Sequence, residues 1–169
     1  MKKSFKKLLI GSVLASTAFS YSAANAVTVS NDAQVIIVAP LTVVANNDMD
    51  FGKVVKPTTS VTAIVSNGGI LTGTADYVDN TGAAGTVDIS GASTETVSIS
   101  ITDTTAVTGL SLSSFTGNFG GQALTGDSLT TASLTGGTDV FDIGATLTID
   151  PTVVAGTHNP SYDVEVTYD

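Results

Sequence analysis

The stretch YDVEVTYD, residues 162–169, decides how the rest of the chain is read. Tyr162, Val164, Val166 and Tyr168 alternate with Asp163, Glu165, Thr167 and Asp169. A period of two puts the first set on one face of a β-strand and the second set on the other. The apolar face demands cover. We read the strand as part of the core, with its edge completed by a further strand from the same chain or from a neighbouring one.

The same period recurs upstream. In VFDIGATLTID (140–150), Phe141, Ile143, Ala145, Leu147 and Ile149 share one face. In TETVSISIT, Val97, Ile99 and Ile101 point inward between serines and threonines. MDFGKVV, SVTAIVS, GTVDIS and the short ILTG after an NGG turn read as further strands. GLSLSSFTGNFGG begins as a strand and turns glycine-rich, and DSLTTASLTGG reads as a weak strand or loop. AQVIIVAPLTVVA (33–45) is apolar in both phases, which predicts cover on both faces. Pro40 divides it into two short strands or marks an edge strand with a bulge. The count is about eight to ten strands with no helix beyond the leader. Valine and threonine supply strand propensity, and 17 glycines with Asn and Asp supply turns. The fold class is all-β: two packed antiparallel sheets, with a closed barrel as the alternative.

The first residues stand apart. Lys2, Lys3, Lys6 and Lys7 precede the apolar run LLIGSVLASTAF, and Ala24 and Ala26 sit as in a small-x-small cleavage site. The pattern is that of a secretory signal peptide over 1–26, followed by a single domain over 27–169. The expected address is secreted: periplasm, outer surface or extracellular space. Cleavage removes four of the six lysines, leaving Lys53 and Lys56 against 15 acidic residues. Nucleic acid and anionic lipid are bound through Lys and Arg, so neither is an expected partner. No mature segment is long and apolar enough to span a membrane as a helix. Cysteine is absent, so an ordinary core must carry stability without disulfides.

Chemistry is sparse. One histidine, His158, sits in the turn sequence GTHNP. A zinc site needs a cluster of His and Cys, and a hydrolase triad finds no G-x-S-x-G elbow. Asp48 and Asp50 in NNDMD have the spacing of hard-cation ligands, yet the motif lacks the length and closing Glu of a calcium loop. We read it as a polar turn. The expectation is no enzymatic activity and no cofactor.

Two features near the end of the sequence are more specific: Tyr168 is penultimate, and Gly156 is the fourteenth residue from the end. Together they resemble the pattern of chaperone–usher pilin subunits. More closely, APLTVVANNDMDFGKVV, GTVDISGASTETVSISI and VFDIGATLTID…AGTHNPSYDVEVTYD resemble a secreted bacterial family known only as domain of unknown function 4402. The D-F-G at Asp50, Phe51 and Gly52 and the long tail are its most specific parts. The pilin resemblance implies an immunoglobulin-like sandwich lacking one strand. It implies self-association, or association with related subunits, by β-strand addition, with a periplasmic chaperone as a further partner. On that reading residues 27–38, with Val35 and Ile37, donate the strand, and Val164, Val166 and Tyr168 line the groove that accepts it. The implied role is a non-enzymatic structural subunit of a fimbria-like or coat-like surface assembly. The alternative is a free-standing secreted module that completes its own fold and binds carbohydrate or a surface. A small extracellular hydrolase using Asp and Glu is the third reading.

Overall fold

A computed structural model of the chain describes residues 27–169. The expected signal peptide over 1–26, with Ala24 and Ala26, lies outside the described residues. By its internal contacts the chain divides into two units, Met1–Val35 and Ile36–Asp169. Residues 27–41 carry no strand.

The second unit is almost entirely β. Its strands are β1 (Thr42–Asn47), β2 (Lys53–Val54), β3 (Val61–Val65), β4 (Leu71–Gly73), β5 (Tyr77–Asp79) and β6 (Gly85–Ser90). They continue with β7 (Thr96–Asp103), β8 (Leu110–Phe119), β9 (Gln122–Ala123), β10 (Ser128–Ser133), β11 (Thr138–Ile149) and β12 (Tyr162–Tyr168). A single 3-10 turn at Thr135–Gly137 is the helical exception among the described residues.

All pairings are antiparallel. The longest strand, β11, organises the large sheet. Its first half pairs with β6, its second half with β3, and β8 runs along its other edge. β1 extends the sheet beyond β6, and β4 extends it beyond β3. The small sheet has the order β10-β7-β12, and β2 and β5 form a separate ribbon. Inward residues of both sheets merge into one apolar core, which is the arrangement of a β-sandwich. Phe141, Ile143, Ala145, Leu147 and Ile149 are all buried, as are Val97, Ile99 and Ile101. Phe119 and Phe141 meet edge to face in the middle, with centroids 6.2 Å apart.

The structure corrects the reading of residues 33–45. Cover on both faces was expected, and neither face has it: every residue of β1 is exposed. β1 is an edge strand, and its bulge lies between Ala45 and Asn47 instead of at Pro40. The apolar composition is real, but nothing within the second unit lies over it. The carboxyl-terminal strand also differs from a fully buried one. Val164 and Val166 point inward yet are only half-buried.

A strand groove between β1 and β12

Local chemistry explains where the sandwich is closed and where it is open. On the β8 side, carboxylates close it. β8 bulges at Ser114, which takes a positive φ of 50°. The Asp103 carboxylate, at the end of β7, accepts the Leu112 amide at 3.0 Å and the Thr105 amide at 2.8 Å. Asp127 accepts the Phe115 amide at 3.1 Å, while its own carbonyl accepts the Ile101 amide at 2.9 Å. Two small-sheet carboxylates therefore satisfy donors on the large-sheet strand β8. Burial opposes ionisation of Asp103, but the hydrogen bonds from Thr105 and Leu112 outweigh it and hold the carboxyl below its ordinary value.

Among the described residues the opposite side has no such closure. Tyr162 and Tyr168 reach across from β12 to the two ends of β6, where a Cβ on Gly85 or Gly91 would meet their hydroxyls. β12 thus lies over β6, and β1, the next strand of the large sheet, projects past it. Val43 and Ala45 of β1 face inward, as partners of the buried Ile89 and Val87, and yet remain exposed. The large sheet is one strand wider than the small sheet here.

The edge of β12 is chemically ready for a partner. The Asp169 amide bonds to Thr96 and the Thr104 amide to Ser161, so the odd-numbered residues of β12 direct their main chain toward β7. Antiparallel alternation then turns the amides and carbonyls of Tyr162, Val164, Val166 and Tyr168 to the free edge. Those same residues carry the inward side chains. Beside Tyr162 and Val164 opens a groove of about 1660 Å³, lined at its floor by Val43, Ala45, Val87, Leu112, Leu147 and Ile149. Tyr162 stands at one end against Phe115, with ring centroids 5.7 Å apart. Burial, and then the charge of Asp48, push the Tyr162 phenol above its ordinary value. At the carboxyl end of β12, beyond the groove lining, the Tyr168 hydroxyl donates to the Ala39 carbonyl and accepts from the Ala92 amide, both at 2.7 Å.

The residues singled out from sequence fall in different parts of the fold. Val164 lines this groove, while Val166 and Tyr168 continue along the same face of β12 beyond its lining. Phe51 is buried, and Gly52 holds a φ of 69° with the Asp79 carbonyl close to where a Cβ would sit; both belong to the turn entering β2. Gly156 has a φ of 154° and open space around it, in the loop that borders the groove. Ile37 is 88% exposed, and Val35 lies in the first unit. Asp50 accepts the Gly52 amide at 2.8 Å, and its backbone pairs with Ala83. Of NNDMD, Asn46 and Asn47 belong to β1 and Asp50 forms a β-bridge with Ala83, which leaves Asp48 and Met49 between them. Among the described residues no three His, Cys, Asp or Glu side chains gather as a metal site would require. His158 bonds the Val154 carbonyl at 2.6 Å, within its own turn.

Sequence reasoning missed Asp103, Asp127, Gly85 and Gly91. The two glycines were visible only as strand punctuation. Their role as clearance for the tyrosine hydroxyls depends on which strand lies over them.

Among the described residues no helix is long and apolar enough to cross a membrane. No curated protein and no solved structure matches the chain. The model of the family described as a domain of unknown function, DUF4402, matches residues 41–168, so that the matched unit opens next to Pro40 and contains both walls of the groove; the chain belongs to this family.

Proposed function

We propose that this chain is a secreted, non-enzymatic structural subunit of a fimbria-like or coat-like surface assembly, in which an added β-strand completes the sandwich along β12. One observation carries the reading: β12 offers a free main-chain edge above a groove whose floor is the uncovered inner face of β1. Strand addition uses both parts at once. The edge supplies hydrogen bonds, and the groove takes alternate apolar side chains. The resemblance of the carboxyl-terminal pattern to pilins supports the same reading. Head-to-tail contacts of this kind do not close and so generate filaments.

Protein spanning residues 27–169 tests it. The expected result is a concentration-dependent ladder of denaturant-resistant multimers that disappears when residues 27–38 are deleted. A stable monomer that needs those residues for its own folding overturns the assembly role and leaves a self-completed adhesive module.

A further inference from the structure

The sequence SNGG (66–69) joins β3 to β4 as a hairpin turn. The Gly69 amide donates to the Ser66 carbonyl at 2.8 Å, and the Ser66 amide donates to the Ile70 carbonyl at 3.0 Å. Gly69 holds a φ of 75°, the left-handed position that closes such a loop. The Gly68 amide stands outside this ladder and donates to the Ser66 hydroxyl at 3.3 Å. Gly68 is exposed, and a Cβ there would meet nothing closer than that hydroxyl, at 3.7 Å. Asn67, before it, is half-buried. No other asparagine in the sequence is followed by glycine. Asn46, Asn47 and Asn118 lie within strands, where pairing holds the main chain extended. Asn159 precedes Pro160, whose nitrogen carries no hydrogen.

We propose that Asn67 is a site of spontaneous modification, converted with age to aspartyl and isoaspartyl forms by attack of the Gly68 nitrogen on the Asn67 carboxamide. The Gly68 nitrogen bonds to Cγ of Asn67 and gives up its proton to water. The Cγ–Nδ2 bond breaks, and Nδ2 takes a proton and leaves as ammonia. The product is a cyclic imide, which water then opens. Hydrolysis at Cγ restores the main chain and leaves an aspartyl side chain. Hydrolysis at the main-chain carbonyl leaves the chain running through Cβ and Cγ. Water is consumed, ammonia is released, and nothing is oxidised or reduced. The turn favours the attack. The Asn67–Gly68 peptide is its central one, and it can rotate as a unit while both ladder hydrogen bonds stay in place. That rotation carries residue 68 through positive φ, which glycine tolerates freely. The product matters to the fold because the turn rests on β11. A Cβ on Gly144 would strike the Val65 carbonyl and the Asn67 amide nitrogen. Gly144 stands where the partner of β11 changes from β6, at Ile143, to β3, at Ala145. An isoaspartyl linkage adds a main-chain carbon to a turn with no slack there, and so loosens β4 from β3.

Protein spanning residues 27–169 is incubated at neutral and alkaline pH, both folded and in urea. Peptide mapping by mass spectrometry and isoaspartate-specific enzymatic methylation then locate the change. In folded protein the loss of ammonia should be confined to Asn67, quicken as pH rises and yield both forms. Gly68→Ala should slow it roughly tenfold, because a Cβ restricts the rotation that the attack needs. The space around Gly68 lets that variant fold. Amide exchange in the isolated isoaspartyl fraction should be faster along β4 and unchanged at the centre of β7. Modification in urea alone, with folded protein intact, overturns the proposal, since the turn would then protect Asn67. Modification spread over several asparagines, or an unchanged rate in Gly68→Ala, overturns it as well. An isoaspartyl fraction whose β4 exchanges as before overturns the link to β11.

Discussion

Val43 and Ile89 are cross-strand partners pointing to the same face, yet Ile89 is fully buried and Val43 remains 41% exposed. Two aliphatic side chains one strand apart would share one environment if both sheets had equal width. The small sheet ends with β12, so cover reaches Ile89 and stops short of Val43. The functional reading grows from that step at the sandwich edge.

The two faces of β12 should respond very differently to charge. Val166→Asp places an unpaired carboxylate on the half-buried inner face and should cost about 2–3 kcal/mol. Glu165→Lys, on the exposed face, should stay within about 0.5 kcal/mol. Urea denaturation of each variant checks this. Equal effects would mean that the faces are assigned wrongly.

Acid should loosen the closed side first. The folded-state value of Asp103 is depressed, so its contribution is complete above the ordinary carboxylate range and is lost as pH falls through the depressed value. Asp103→Asn keeps one acceptor where two amides now bond, and should cost about 1–3 kcal/mol at neutral pH by leaving a donor unmet. It should also flatten the acid limb of the stability curve below about pH 4. Denaturation midpoints measured from pH 2 to pH 7 provide the comparison, and an unchanged acid limb would exclude this carboxylate as a source of it.

Tyr168→Phe removes a donor and an acceptor without changing the ring. The Ala92 amide and the Ala39 carbonyl each lose a partner, for a combined cost of about 1–3 kcal/mol. Amide exchange should quicken at Ala92 while the centre of β7 stays protected. Uniform acceleration would show that the hydroxyl supports the whole domain instead of one end of it.

Phe141 is fully buried and stacks edge to face on Phe119, so Phe141→Ala should destabilise by about 3–5 kcal/mol. A thermal melt measures it; a loss below about 1 kcal/mol would contradict the packing described.

How much of this was legible in the sequence depended on what each signal reports. Strict alternation located β7, β11 and β12 and the direction of their faces, because period two is a direct consequence of the pleat. It failed at β8 and β10. Ser114 and Thr131 adopt positive φ there and insert bulges, which shift the face partway along each strand. In residues 33–45 apolarity was read as cover, although composition says only that cover is needed. The accepting groove was legible in part: its β12 wall follows from YDVEVTYD, and its floor does not. Which strand of one sheet lies over which strand of the other depends on contacts far apart in sequence, such as Tyr168 with Ala92. Asp103 and Asp127 were invisible for the same reason, since a carboxylate that caps a distant amide looks like any surface acid.

The most direct test reads the edge itself. Protein lacking residues 27–38 is titrated with a synthetic peptide of residues 27–40, and amide hydrogen exchange is followed along β12. Strand addition predicts that the Val164 and Val166 amides, which face the free edge, exchange rapidly alone and become protected on saturation, while the Glu165 amide, already directed toward β7, changes little. Exchange at Val164 and Val166 that stays the same with and without peptide would contradict the account.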